Sequence, residues 1–238
     1  EPTLDVRYNP DNTDKDAGTI AADIRDAAIN YESTELGLFG EHFITSELIK
    51  RVDETNDSIT SISIDLKLVR RLIPNNISST YTIPFSHQLL DISSGVVIDA
   101  PAAHPGQGLT LTSTSFTFNG QSVQMDDDGF GNVRFFRLTS RGVKIFETRS
   151  AGKINYNTGL VTLNNVNITA YEGDFIEIFV VPVVDDIIPI RNQLILLSDV
   201  IIRVFDNKLE RITSSLSNVD TAGSSTELQD YGTAYTIF

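Results

Sequence analysis

The first seventy residues read as strand, helix, helix, strand, with one apolar face running through all four elements. That continuity restricts them to a small α+β core in which two helices cover one side of a sheet. In the first strand Leu4, Val6 and Tyr8 alternate with Thr3, Asp5, Arg7 and Asn9, which puts the apolar three on one face. Pro10 and the polar run Asp11, Asn12, Thr13 and Asp14 break the strand and offer an N-cap, so a helix is expected from about Lys15. Within it Ile20, Ile24, Ala27, Ala28 and Tyr31 recur at spacings of three and four, while Asp16, Asp23, Arg25 and Asp26 take the other angles. Gly37 and Gly40 turn the chain. Thr45 or Ser46 then caps a shorter helix carrying Leu48, Ile49 and Val52, which Asn56, Asp57 and Ser58 end. The returning strand alternates Ile62, Ile64, Leu66 and Leu68 with Ser61, Ser63, Asp65 and Lys67.

From Arg71 onward the pattern changes. Pro74, Asn75, Asn76, Ser78 and Ser79 form a polar link, after which short alternating segments replace helical periodicity. Strands are expected over 81–85, 96–99, 109–119, 133–138, 143–148 and 175–181. Between the fifth and sixth lies a hairpin in which Asn157, Thr158 and Gly159 join Ile154 and Tyr156 to Leu160, Val161 and Leu163. Turn residues recur at Asn119–Gly120, Asp128–Gly129, Gly131–Asn132 and Glu172–Gly173, a spacing that suits a sandwich or a barrel-like meander. Residues 101–108, PAAHPGQG, read as a surface loop or a docking point. The apolar stretch from Ile187 to Phe205 is interrupted by Pro189, Arg191 and Asp199. It reads as two strands, or a loop and one strand, completing the first sheet or pairing with another chain. A Ser/Thr-rich segment follows and ends in Tyr231, Tyr235, Ile237 and Phe238, an apolar end on a polar leash that docks on its own core or on a neighbour. These four are the interface candidates.

The opening layout resembles the baseplate J-like family of contractile-tail phages, particularly the C-terminal part of its T-even-type wedge subunits. TLDVRYNP, IAADIRDAAINY, ELGLFGEHFITSELIKRV and SITSISIDLKLVRR carry the resemblance, over less than a third of the chain. The hairpin GKINYNTGLVTL is a second echo of such tail proteins. The resemblance implies a structural virion protein of the tail baseplate, assembled in the host cytoplasm. It further implies self-association as a homodimer, contacts with other wedge proteins, rearrangement when the tail contracts, and no catalytic residues or cofactor. The fold expected is α+β, with a small strand–helix–helix–strand domain over 1–73 and a predominantly antiparallel β domain over 74–186. Strands and tail over 187–238 are expected to pack on either domain or on a partner chain.

Composition narrows the alternatives. A chain of 238 residues can bury a core without covalent staples, and its lack of cysteine excludes a disulfide framework and thiolate chemistry. The first residue is Glu and the single methionine is Met125, so a fragment or processed product is expected. No apolar stretch reaches the roughly 18 residues of a spanning helix, and membrane insertion is not expected. Net charge is −14, with 14 acidic and 5 basic side chains in residues 1–57 against 18 and 13 in the remainder. Such acidity repels phosphate backbones, which makes nucleic acid an unsuitable ligand.

No constellation of catalytic groups emerges. His42, His87 and His104 lack the i, i+4 spacing of a helical metal pair, and no nucleophile elbow or phosphate-binding glycine motif is present. The run MDDDGFGN, Met125 to Asn132, invites a calcium reading, but an EF-hand register from Asp126 puts Phe130 where an oxygen ligand is needed, and a tight hairpin turn accounts for it. The chain is therefore read as a non-enzyme. The alternative to a wedge subunit is a receptor- or glycan-binding β module of a tail appendage, which explains the β-rich centre but not the opening unit.

Overall fold

The computed structural model describes residues 1–36, 40–91, 110–189, 195–197 and 200–208. They form an α+β chain that divides into two compact units. One comprises Glu1–Leu66 with the described residues from Asp185 onward, the other Lys67–Val184.

The first unit is built around β1 (Pro2–Tyr8), whose residues are alternately buried and half-buried, as a strand covered on one face requires. β2 (Ile59–Leu66) pairs with it antiparallel, setting Ile64 opposite Leu4 and Ile62 opposite Val6. On the other side the strand Ile201–Asp206, the thirteenth and last among the described residues (β13), pairs parallel, with Ile202 opposite Leu4 and Val204 opposite Val6. Among the described residues the C-terminal apolar stretch thus supplies one strand, which joins the first sheet. Between β1 and β2 run α1 (Ala17–Tyr31) and α2 (Thr45–Asp53), α1 packed against β13 and α2 against β2. Ile20, Ile24, Ala28 and Tyr31 of α1 and Leu48 and Val52 of α2 are buried, as are Leu4, Val6, Ile202 and Val204. Each large aliphatic side chain so buried contributes about 1.5–3 kcal/mol.

Local chemistry departs from the sequence expectations at three points. The N-cap of α1 is Asp16, whose carboxyl accepts from Thr19 N at 2.7 Å. The earlier polar run instead forms a 3₁₀ turn, Pro10–Asn12, capped by Asn9, whose Oδ1 accepts from Asp11 N. Neither Thr45 nor Ser46 caps α2. Ile44 occupies the cap position without a side-chain acceptor, and the orphan Thr45 amide donates to Asp186 Oδ1 at 2.8 Å. The returning strand stops at Leu66 rather than continuing through Leu68. Gly40 has φ 87°, in keeping with a turn there, while Gly37 lies outside the described residues.

Among the described residues the second unit contains ten strands: β3 (Leu68–Leu72), β4 (Ser79–Pro84), β5 (Leu111–Ser113), β6 (Phe116–Phe118), β7 (Gln121–Asp127), β8 (Asn132–Leu138), β9 (Lys144–Asn155), β10 (Leu160–Val166), β11 (Ile168–Tyr171) and β12 (Ile176–Val180). They pair antiparallel in the order β3-β12-β5-β7-β8-β9-β10-β4, with β6 joined to β7 and β11. The two ends of this order approach each other. Arg70 Nε on β3 donates to the Pro84 carbonyl of β4 at 3.1 Å, and the segment after β4 bonds to the segment after β12 through Val183 N to Gln88 O and Leu90 N to Val181 O. The sheet is therefore nearly closed, and of the two β architectures expected the barrel-like one is found. Inward residues such as Leu111, Met125, Val133, Phe135, Val161 and Ile178 fill it.

Two glycines make close approaches possible. A Cβ at Gly152 would overlap the Thr162 carbonyl on the neighbouring β10. One at Gly159, at φ 65° in the β9–β10 turn, would overlap the His87 backbone. The expected strand over 109–119 is two short ones, β5 and β6, separated at Thr114 and Ser115, while the segments expected over 143–148 and at Ile154 belong to one twelve-residue strand, β9. The expected strand over 96–99 and the loop 101–108 lie outside the described residues.

Candidate interaction surface

The most distinctive surface in the second unit is the far end of the β8–β9 hairpin. β7 pairs with β8 only over Val133–Phe136, and β10 pairs with β9 only over Gly152–Asn155. Residues 137–145 therefore pair only with each other and form a two-stranded arm. Its turn is closed by Gly142 N to Thr139 O and Thr139 N to Val143 O, both 2.9 Å, and by Val143 N to Thr139 Oγ1 at 3.0 Å.

One face of the arm's base is a stack of cations and rings. Phe146 lies under the guanidinium groups of Arg134 and Arg149, at 4.6 and 4.4 Å from its centre, and Lys144 Nζ sits 4.2 Å from the centre of Phe136. Asp126, fully buried, holds this stack from below. It accepts from Arg134 Nε and Lys144 Nζ, each at 2.8 Å. Arg137 pairs with Glu147 at 2.7 Å. Beyond these anchors the arm turns apolar, with Leu138, Val143 and Ile145 exposed by 53%, 59% and 37% and Arg141 exposed beside them. No described residue hydrogen-bonds to or pairs with the Arg141 guanidinium.

Behind the stack, Asp127 ties three elements together. Its carboxyl accepts from Leu111 N of β5 at 2.8 Å, from Gly129 N at 3.2 Å and from the Tyr156 hydroxyl at 2.7 Å. Burial, and then the hydrogen bond to Asp127, push the Tyr156 phenol far above its usual range, so it serves as a permanent donor. Asp128 closes the β7–β8 turn by accepting from Phe130 N, Asn132 N and Asn132 Nδ2. Burial raises its pKa, but these bonds outweigh that and hold it below the ordinary value. Each carboxyl of the acidic run thus has protein partners: Asp126 in Arg134 and Lys144, Asp127 in Leu111, Gly129 and Tyr156, and Asp128 within its own turn. Among the described residues no group of three His, Asp or Glu side chains is placed to hold a metal ion, and no helix is long and apolar enough to cross a membrane. His42 is exposed, His87 Nδ1 lies 3.0 Å from the Phe85 carbonyl, and His104 is outside the described residues.

The first unit presents carboxyl groups in a different way. Asp185 and Asp186 meet the start of α2, where Thr45 Oγ1 donates to the Asp185 carbonyl at 2.9 Å. Partial burial, together with the neighbouring Asp65 and Asp186, raises the pKa of Asp185. Tyr31 fixes the approach to α2 by accepting from Ile44 N at 3.0 Å, with its ring edge-on to Phe43 and beneath Arg51.

The interface candidates drawn from the sequence, Tyr231, Tyr235, Ile237 and Phe238, lie outside the described residues. Sequence reasoning passed over the arm. Its signal was present in RFFRLTSRGVKIFETR, residues 134–149, where cations and rings alternate on both sides of a Gly-containing turn.

Comparison with known proteins bears on the first unit. Residues 1–71 match the family model described as baseplate structural protein gp6, C-terminal domain III. The match begins with β1 and takes in α1, α2 and β2, the elements on which the family resemblance rested. No curated protein matches the chain.

Proposed function

We propose that the chain is a structural virion protein, a subunit of the contractile-tail baseplate wedge that works through its interfaces and not through catalysis. The observation that carries this reading is the match of residues 1–71 to a domain of a baseplate structural protein. The chemistry of the described surface supports it, since the well-defined polar groups are engaged in holding strands and turns in register. On this reading the protein self-associates into a homodimer and contacts other wedge proteins, and it resides in the tail baseplate after assembly in the host cytoplasm. Packed interfaces with two discrete arrangements would let a signal at the periphery drive collective motion when the tail contracts.

The test has two parts. Light scattering on the purified chain at tens of micromolar should give the mass of a dimer, and a strict monomer overturns homodimerisation by this chain. Co-expression with the products of neighbouring tail genes should yield a stable complex containing this chain. Tail particles that assemble and contract normally without it overturn the wedge assignment.

A further inference from the structure

The charge of this chain is divided unequally between its units. Lys67–Val184 carries nine acidic and nine basic side chains, so the whole net charge of −14 resides in the other unit and the C-terminal segment. Within the neutral unit the cations are gathered. Arg134, Arg137, Arg141, Lys144 and Arg149 lie on the arm and its base, five cations against two acids, Glu147 paired to Arg137 and the buried Asp126 paired to Arg134 and Lys144. The arm also carries the exposed Leu138, Val143 and Ile145. An apolar tip flanked by cations, held rigid by a bonded turn and by Asp126 beneath its base, costs little entropy to dock.

We propose that this arm docks on the acidic unit of a second copy of the chain, the two copies exchanging arms about a two-fold axis. The inference rests on the self-association proposed above and names the element that makes the contact. Charge complementarity selects the occupant. The rest of the same polypeptide carries the whole −14, a field complementary to the arm, whereas a phosphate backbone would be repelled by it. Reciprocity follows from size. One hairpin tip covers only a few hundred Å², well short of the roughly 1,200 Å² typical of stable contacts, and two tips related by symmetry double the area. The dissociation constant should therefore be in the micromolar range, and the contact should weaken with salt as screened charge pairs do.

The experiment uses the full chain. Sedimentation equilibrium should show a dimer at low salt whose dissociation constant rises about ten-fold or more in 0.5 M NaCl, and by a similar factor in Arg141→Glu/Val143→Ser. Both positions are exposed, so the circular dichroism melt should be unchanged. If that variant misfolds, a photo-crosslinking residue placed at Leu138 in the otherwise native chain decides the matter. In a mixture of ¹⁵N-labelled and unlabelled protein it should join arms to peptides within 1–66 or 185–208 of the other isotope. A dimer that ignores the arm variant, with crosslinks elsewhere or only within one copy, overturns this inference and leaves self-association standing. A native chain that stays monomeric overturns both. Retention of the arm by anionic vesicles or duplex DNA, abolished by Arg141→Glu, would also overturn it by assigning the arm to another class of partner.

Discussion

In the unit built on Glu1–Leu66, carboxyl groups stand at helix starts and on the solvent side of the sheet, whereas in Lys67–Val184 two of them, Asp126 and Asp127, are fully buried in the wall of a barrel. The first arrangement leaves specification to apolar alternation. Leu4 and Val6 must face the helices, and a one-residue slip of β1 would turn them to water. The second makes polar groups part of the specification. A buried carboxyl is tolerated only where each of its oxygens is engaged, so Asp127 fixes β5, the β7–β8 turn and Tyr156 relative to one another. Exposed charge in one unit and buried charge in the other should therefore respond very differently to the same chemical change.

The largest response is expected at Asp127. Asp127→Ala leaves the Leu111 amide, the Gly129 amide and the Tyr156 hydroxyl without their acceptor, at a cost of about 3–5 kcal/mol. Hydrogen exchange at Leu111 and Gly129 should accelerate toward the rate of the unfolded chain while β1 and α1 remain protected. Uniform loss of protection in both units would break the contrast, because it would mean that they unfold as one. Gly152→Ala probes the same barrel without touching charge. The added Cβ meets the Thr162 backbone, which cannot rotate away as a side chain would, and about 2–3 kcal/mol should be lost. Urea denaturation with a midpoint within error of the native chain would show that β9 and β10 can part without penalty.

The same contrast explains what could be read before the structure. In the opening unit one face of β1 is buried and the matching face of β2 is partly covered, so Leu4, Val6 and Ile64 announce themselves through simple alternation. β7 did not, because Asp126 and Asp127 look like turn residues to any rule that keeps carboxyl groups in water, although Val123, Met125 and Asp127 all point inward. β9 read as two segments because Ser150 and Gly152 weaken the pattern, and at Gly152 the backbone of β10 must come close. The cap of α2 was misplaced for another reason. Asp186 reaches the start of α2 from 141 residues away, and no local signal carries that distance. The arm was legible as two strands but not as a projection, since overhang depends on where the neighbouring strands stop.

In the first unit, removal of a single carboxyl should have a mild effect. Asp186→Ala deprives the first turn of α2 of its one side-chain acceptor and of a negative charge at the positive end of the helix dipole. A loss of about 1 kcal/mol is expected, with faster exchange confined to Thr45 and the turn that follows. If the loss matched that of Asp127→Ala, the distinction between exposed and buried charge would fail.

The smallest effects, and the sharpest in sign, concern two carboxyl groups whose pKa values move in opposite directions from the ordinary 3.8. Asp185 is raised by partial burial and by Asp65 and Asp186. Between the unfolded value and the raised one, the folded state holds more protons, so stability falls as pH rises through that window, and the repulsion persists at neutral pH. Asp128 is lowered by the hydrogen bonds it accepts, despite the opposing push of burial. Its contribution is present above the unfolded value and is lost as pH falls through the folded one. Asp185→Asn should accordingly stabilise the protein at pH 7 and Asp128→Asn should destabilise it. Since both groups are largely solvated, each change should stay within about half a kcal/mol. Thermal melts of the two variants between pH 7 and pH 3 should start on opposite sides of the native chain. The Asp185→Asn gain should fade below the raised value, while the Asp128→Asn loss should shrink only toward the most acidic end. Curves that run parallel to that of the native chain would mean that neither group senses its surroundings, and the acidic unit would then carry its charge without internal repulsion.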